Sequence, residues 1–301
     1  MLVVLIGGYL TAGGANAINM WYDKDIDPKM ARTSGRAIPS GRIEAGSALF
    51  FGILISILGV WWFYEMSNEV AAFWSAFSVL FYVFIYSIWL KRRTPQNIVI
   101  GGIAGSTPPV IGWAASSEDL SISTDSMASL LESVIEIGSP MPWVMFVLIF
   151  LWTPPHFWAL ALYRSEEYAE VGVPMLPNVK GSERTLLEMK VYSILLVLLS
   201  LAAPTTLETV NIEDWSYHVL SWTILGLSLW YASTVWKIDI SEEPDETGRI
   251  SSAATSFFVS MLYLALMFVV LVTGSFGQFG VFIGAIIATV FVARTELKST
   301  T

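Results

Sequence analysis

The sequence predicts an all-α, polytopic transmembrane helical bundle of about nine spans, and three observations carry that prediction. The 301-residue chain is 54% apolar and only 14% charged, whereas soluble domains carry charge at about a quarter of their positions. Uncharged windows of roughly 20 residues, enough to cross a hydrocarbon core about 30 Å thick, recur along its length. When these windows are threaded back and forth, all 16 Lys and Arg residues fall on one side, as basic loops do when they stay cytoplasmic. One span more or fewer would scramble that segregation.

The spans are expected at Leu2–Tyr22, Ser47–Tyr64, Val70–Leu90, Ile98–Ala115, Trp143–Tyr163, Val191–Leu207, Val219–Trp236, Ala253–Thr273 and Phe276–Ala293. The last two come from one charge-free stretch, Ile250 to Ala293, about twice the bilayer thickness as a single helix. Gly274, Ser275 and Gly277 supply the turn of a hairpin. Inner loops hold every base, from Lys24 to Lys298, together with acids of similar number. Outer loops hold Glu65, Glu69, Glu118, Asp119, Asp125, Glu132, Glu136, Glu208, Glu213 and Asp214 and no base. The net charge of -9 is therefore a difference between two faces, and an acidic exterior predicts no nucleic-acid partner.

The chain reads as one membrane domain, residues 1–301, with an outer acidic insert at 116–142 and a polar tail at 294–301. Within the insert, Met127, Leu130, Leu131, Val134 and Ile135 recur at helical spacing, which predicts a short amphipathic surface helix. Cysteine is absent, which excludes disulfides, thiolate metal sites and cysteine nucleophiles, and His156 and His218 are too few for a multi-His zinc site. Met1 runs directly into an apolar stretch, so no signal or transit peptide is predicted.

The first span ends in Asn19-Met-Trp-Tyr-Asp23-Lys-Asp25-Ile-Asp27-Pro28. On a continuing helix Asn19, Asp23 and Asp27 share one face while Asp25 points elsewhere. Their mutual repulsion suits a divalent cation, and Mg²⁺ takes one or two carboxylates plus phosphate oxygens. An ordinary charged loop explains the spacing equally well, but Arg32 and Arg36 follow at once, and guanidinium is the best-matched donor for phosphate. Lys91-Arg92-Arg93 closes the third span on the same side. Thr107-Pro108-Pro109 interrupts the fourth span, and Thr153-Pro154-Pro155-His156 is expected to break the fifth. An ionisable residue such as His156 inside a span is a functional candidate. The inner loop that follows contains Arg164, Glu166, Glu167, Tyr168 and Glu170, then Lys180. His218, beside Trp215 and Tyr217, reads as an interfacial structural residue.

Four ordered segments, NMWYDKDIDPKMARTSGR, LKRRTPQNIVIGGIAGSTPPVIGW, TPPHFWALALYR and VPMLPNVKG, resemble the protoheme IX farnesyltransferase (heme O synthase) branch of the UbiA-type intramembrane prenyltransferases. The resemblance implies the UbiA-type fold, with this chain lacking the family's usual first helix and carrying an additional C-terminal one. It implies Mg-dependent transfer of a farnesyl group from farnesyl diphosphate to the 2-vinyl group of heme B, water completing a hydroxyethylfarnesyl product. By the same resemblance Asp23 and Asp27 hold Mg²⁺ and Asn19 supports them. Arg32, Arg36, Lys91, Arg92 and Lys180 contact diphosphate, and Arg164, Glu167 and Tyr168 form a second polar motif. His156 contacts the porphyrin or its iron. Trp21, Tyr22, Tyr86 and Trp158 are candidates to stabilise a farnesyl cation through their faces. Membrane lipid and a heme A synthase or terminal oxidase assembly are the further partners implied, at a cell membrane with the site on its cytoplasmic side. Two other readings remain: a prenyltransferase acting on a quinone precursor or glyceryl lipid, and a polytopic transporter, which would be expected to pair its broken helices in two halves.

Overall fold

The computed structural model describes residues 1–118, 120–163, 171–242 and 250–299, which form helices and loops without a strand. Among them nine helices are long and apolar enough to cross a membrane, beginning with Leu2–Tyr22, which matches its prediction at both ends. The sixth departs most. It runs Ser182–Thr206, starting well before Val191, because its charged first turns are helical too and are closed by an Arg184 to Glu188 pair at 2.8 Å. A hydropathy window discards charge that a helix readily carries outside the hydrocarbon. By its internal contacts the chain divides into two compact units, residues 1–150 with 164–179, and residues 151–163 with 180–301.

The first unit contains α1 (Leu2–Tyr22), α2 (Ala45–Met66), α3 (Glu69–Leu80), α4 (Asn97–Ser106), α5 (Pro108–Ser116), α6 (Met127–Ile135) and the start of α7 (Met141–Tyr163). Small residues bring α1 and α2 together where lipid offers no hydrophobic driving force. A Cβ on Gly14 would lie 2.7 Å from the Gly52 carbonyl oxygen, so the backbones approach as only glycine permits. About two turns further along, the Phe63 ring fills the space over Gly7.

After α3 the same span continues as a π-helix, Phe81–Leu90. Its i to i−5 geometry persists at the end, where the Lys91 N–H donates to Tyr86 O at 2.8 Å. The extent matches the prediction, but the wider turn rephases every side chain after Leu80, and long π-segments are rare outside functional sites. The expected break at Thr107 is present, with Pro108 opening α5 where no N–H is needed.

The predicted break at Pro154-Pro155 is not. Helix α7 runs unbroken from Met141 to Tyr163 with both prolines inside it. Their fixed φ is already helical, and the lost ladder bonds do not end a helix packed within protein. The insert forms the expected amphipathic helix α6, capped by Ser126 and Ser129. The indole N–H groups of Trp74, Trp143 and Trp113 donate to the carbonyls of Val134, Ile135 and Ile137 at 2.8, 3.0 and 3.1 Å, satisfying acceptors that a helix end leaves open.

The short helix α8 (Leu176–Lys180) precedes the second unit's α9 (Ser182–Ala202), α10 (Trp215–Trp236), α11 (Ser251–Gly274) and α12 (Gly277–Ser299). The α11/α12 hairpin turns as predicted at Gly277, whose φ of +78° favours glycine. Inside this unit Tyr231 and Tyr263 stack at 4.9 Å, with Ser228 and the Tyr263 hydroxyl hydrogen-bonded at 3.1 Å.

Candidate active site

Helix α1 ends at Tyr22, as its predicted span does, so Asn19, Asp23 and Asp27 do not lie on one continuing helix. A turn replaces it: the Asp27 N–H donates to Asp23 O at 2.9 Å, which keeps the four-residue step and leads into a 3₁₀ turn at Asp27–Lys29. The segregation expected of a helix therefore survives. Asp23 and Asp27 are buried at 0% and 2% exposure, whereas the Asp25 side chain is 57% exposed.

Each buried carboxylate meets a base. Arg36 donates through Nη1 to both oxygens of Asp27 at 3.1 and 2.9 Å. Lys91 donates through Nζ to Oδ2 of Asp23. Arg92 holds Asp25 with two bonds of 2.7 Å, donates to Tyr22 O at 2.9 Å, lies over the Tyr22 ring and sits 3.6 Å from Asp23 Oδ1. The Asn19 side-chain oxygen Oδ1 accepts from Ser87 at 3.0 Å, and the Tyr22 hydroxyl donates to Ile88 O. Both anchors are on the π-helix, which thus aligns α1 with Lys91.

Charge and burial oppose one another here. Burial pushes the Lys91 ammonium down from its usual value, with the Asp23 charge resisting. The Arg92 hydrogen bonds hold the Asp25 carboxyl below the ordinary carboxylate range, against a smaller burial effect. Arg92 is raised in turn by that bond.

Within this cluster Asp23 Oδ1 and Arg92 Nε are buried without a hydrogen bond to any described residue. A bare buried carboxylate oxygen suits a cation and a bare guanidinium N–H suits an anion. No group of three or more His, Cys, Asp or Glu among the described residues is placed to hold a metal alone. A divalent ion here would fit only with oxygens of a ligand completing its shell, the usual habit of Mg²⁺.

The face of α1 that carries Asn19 and Asp23 continues downward through Asn16, Ala12, Gly8 and Val4. These residues line a cavity of about 250 Å³ with Val79 and Tyr82, Ala104 and Gly105, Pro108, Ile111 and Phe63. It is largely apolar, and Phe63 lies at the level of Gly7, remote from the carboxylates.

The remaining predicted residues are dispersed. Arg32 is exposed, and Trp21 carries Lys24 over its ring. Tyr86 packs on Gly101 with Lys91 Nζ 5.9 Å from its centroid. Lys180 is exposed at the end of α8 and belongs to the second unit. Arg164, Glu167 and Tyr168 lie outside the described residues. Trp158 is fully buried in the second unit against Tyr192.

In that same unit His156 is clamped between the rings of Trp152 and Phe257, at 4.2 and 4.7 Å. Its Nδ1 is 2.6 Å from Ser260 Oγ. Ser260 commits its own proton to Phe257 O at 2.6 Å, so it accepts from Nδ1–H and leaves Nε2 as the nitrogen with a lone pair. Sequence reasoning missed Ser87, Ser260 and the tie from Arg92 to Asp25. Only the polarity of Ser87 and Ser260 inside apolar spans hinted at them.

A buried acid and base cluster on the same face of α1 as an apolar cavity among membrane-length helices is the arrangement of an intramembrane enzyme. Residues 1–252 match the UbiA prenyltransferase family, and the chain belongs to that family as a multi-pass membrane protein. It is 39% identical to the protoheme IX farnesyltransferase of Bartonella bacilliformis, over 90% of this chain and 77% of that one. It is 44% identical to the protein of the same name from Acidiphilium cryptum, over 87% and 76%. Among solved structures it resembles a UbiA homolog from Archaeoglobus fulgidus bound to DMAPP and Mg²⁺, with a TM-score of 0.56 at 17% identity, covering 90% of this chain and 86% of that one.

Proposed function

We propose that this chain transfers a farnesyl group from farnesyl diphosphate to the vinyl group of heme B, making heme O, at the cytoplasmic side of a cell membrane. The carrying observation is the alignment on one face of α1 of buried Asp23 with the apolar cavity beneath it. The shared name of relatives near 40% identity supports heme as acceptor, and the segregation of basic loops supports the orientation. A transporter does not account for membership in a prenyltransferase family.

Asp23 and Asp27 are the residues to hold Mg²⁺, with the bare Oδ1 of Asp23 as the first contact; the Archaeoglobus homolog binds the same ion with an isoprenyl diphosphate. Bound there, Mg²⁺ would supply Lewis-acid neutralisation of the diphosphate. Lys91, Arg36 and Arg92 add fixed positive charge where the leaving group gains negative charge. Arg32, which is exposed, would meet the diphosphate from the water side. The apolar walls hold the prenyl chain and exclude bulk water. As the allylic carbon–oxygen bond opens, the vinyl carbon attacks the farnesyl carbon, and water adds to the resulting cation. His156, with its ring fixed and Nε2 free to coordinate, is the proposed contact to heme iron.

Membranes containing the chain, supplied with farnesyl diphosphate, Mg²⁺ and either heme B or 4-hydroxybenzoate, test the assignment by mass spectrometry. A farnesylated heme is expected; prenylation of the benzoate alone would replace heme with a quinone precursor as acceptor.

A further inference from the structure

Of the four polar side chains that line the α1 cavity, Thr11, Asn16, Ser78 and Tyr82, two are spent internally. Thr11 donates to Gly7 O at 2.9 Å, and Ser78 donates to Ala104 O at 3.1 Å. The exceptions are the Asn16 amide and the Tyr82 hydroxyl, which line the cavity and have no hydrogen-bond partner among the described residues. Asn16 is exposed and Tyr82 half-buried, so in a chamber of mostly apolar wall both are open to hydrogen-bond a small polar molecule that enters it.

Their position says what visits. Asn16 lies one turn before Asn19 and about 10 Å along the axis from Asp23, at 1.5 Å per residue. Tyr82 is on the adjoining π-helix, its ring 5.3 Å from that of Tyr86, over which lies Lys91, the partner of Asp23. A prenyl diphosphate anchored at Asp23 therefore presents its first carbons, the reacting end, at this level. The diphosphate oxygens are above it, and the rest of the chain meets only apolar wall below.

We infer that Asn16 and Tyr82 position the water molecule that becomes the hydroxyl of the product. The inference rests on the farnesyl-transfer reading. In that reaction the carbon–oxygen bond of farnesyl diphosphate breaks with both electrons leaving on the diphosphate. The vinyl π electrons form the new carbon–carbon bond, and the positive charge moves to the carbon attached to the porphyrin. A water oxygen then bonds to that carbon and its proton passes to the released diphosphate. The Asn16 carbonyl oxygen accepts one water hydrogen, and the Tyr82 hydroxyl donates to or accepts from the same water, aiming an oxygen lone pair at the cation. Both are positioning residues. If the water is absent, the cation instead loses a proton from the neighbouring CH₂, giving an alkene lighter by one water.

The test is the product ratio, which does not depend on how much active enzyme a substitution leaves. Membranes with the wild-type chain, Asn16→Leu, Tyr82→Phe or both are incubated with farnesyl diphosphate, heme B and Mg²⁺ in ¹⁸O-water. Hydroxylated and alkene hemes are then quantified by mass spectrometry. The alkene-to-alcohol ratio is expected to rise by about tenfold for each hydrogen bond lost, with Asn16→Ser restoring part of it. Labelled alcohol at the wild-type ratio in the double variant would overturn the inference while leaving farnesyl transfer intact. So would loss of all farnesylated heme from membrane-inserted Tyr82→Phe, because that places the hydroxyl in bond cleavage. If the wild-type chain makes no farnesylated heme, the underlying reaction fails, and this inference with it.

Discussion

Replacing Asp23 with asparagine keeps the side chain's shape and removes its charge. In the structure the Asp23 side chain is 1% exposed and its partner Lys91 is 16% exposed. The substitution leaves a buried ammonium without its counter-ion, a change that costs about 3–5 kcal/mol when one member of a buried pair is removed. Arg92 Nη2, 3.6 Å from Oδ1, adds little to that. Its side chain is 30% exposed and already holds Asp25, so solvent screening leaves about 1 kcal/mol or less. The catalytic loss is separate. Without Asp23 the site loses a ligand to the ion that would offset charge on the leaving group; losing one such preorganised element costs about 10²–10³ in turnover, and Asp23→Asn should lower heme farnesylation by at least about 10²-fold. Adding Lys91→Met removes the stranded charge, and replacing a whole buried pair with apolar side chains is often neutral or stabilising. The double variant should therefore regain most of the lost stability and none of the activity. Denaturant unfolding in detergent reads the first quantity, and mass spectrometry of the heme product reads the second. Wild-type product formation by Asp23→Asn, or recovery of turnover in the double variant, would refute the assignment of Asp23 to the diphosphate.

Three further outcomes are expected. Phe63→Ala removes the fully buried ring at the remote end of the cavity. It should cost about 3–5 kcal/mol of stability and shift competition between farnesyl and geranylgeranyl diphosphates toward the longer chain; an unchanged preference would move the prenyl chain out of this cavity. His156→Ala should weaken heme binding by about tenfold or more in a spectral titration, and unchanged affinity would remove His156 from the heme site. Arg92→Gln should flatten the acid limb of the stability curve. The Asp25 carboxyl is held below its ordinary 3.8 by Arg92, so its contribution is present above that pH and lost as pH falls through the lowered value. For so exposed a carboxylate the effect is about 0.2–1 kcal/mol, and an unchanged acid limb would contradict the pairing.

Much of this was legible in the residues themselves. Span positions follow from hydrocarbon thickness and the absence of charge, both local properties, and for that reason Leu2–Tyr22 is matched at both ends. Asn19, Asp23, Asp27, Arg36 and Lys91 stand out by residue type and spacing, and the structure brings these five together on α1, the turn beyond it and the end of the π-helix. Errors arose where local rules met packing. A double proline breaks a helix in water, yet α7 continues through Pro154 and Pro155. Four-residue spacing puts the acids on one face only if a helix continues, and past Tyr22 a single turn bond from Asp27 to Asp23 produces the same burial.

By itself the sequence determined the membrane class, the nine spans, the segregation of charge and the inventory of acids and bases, since each depends on which side chains follow one another. Only the tertiary structure decided which base meets which acid: Lys91 takes Asp23, Arg36 takes Asp27, and Arg92 takes Asp25. It also decided that Ser87 supports Asn19, and that Asn16 and Tyr82 remain bare in the cavity wall. The physical reason is the π-helix of the third span. Its extra width rotates Tyr82, Ser87 and Lys91 relative to an α-helix of the same sequence, and hydropathy has no record of that rotation.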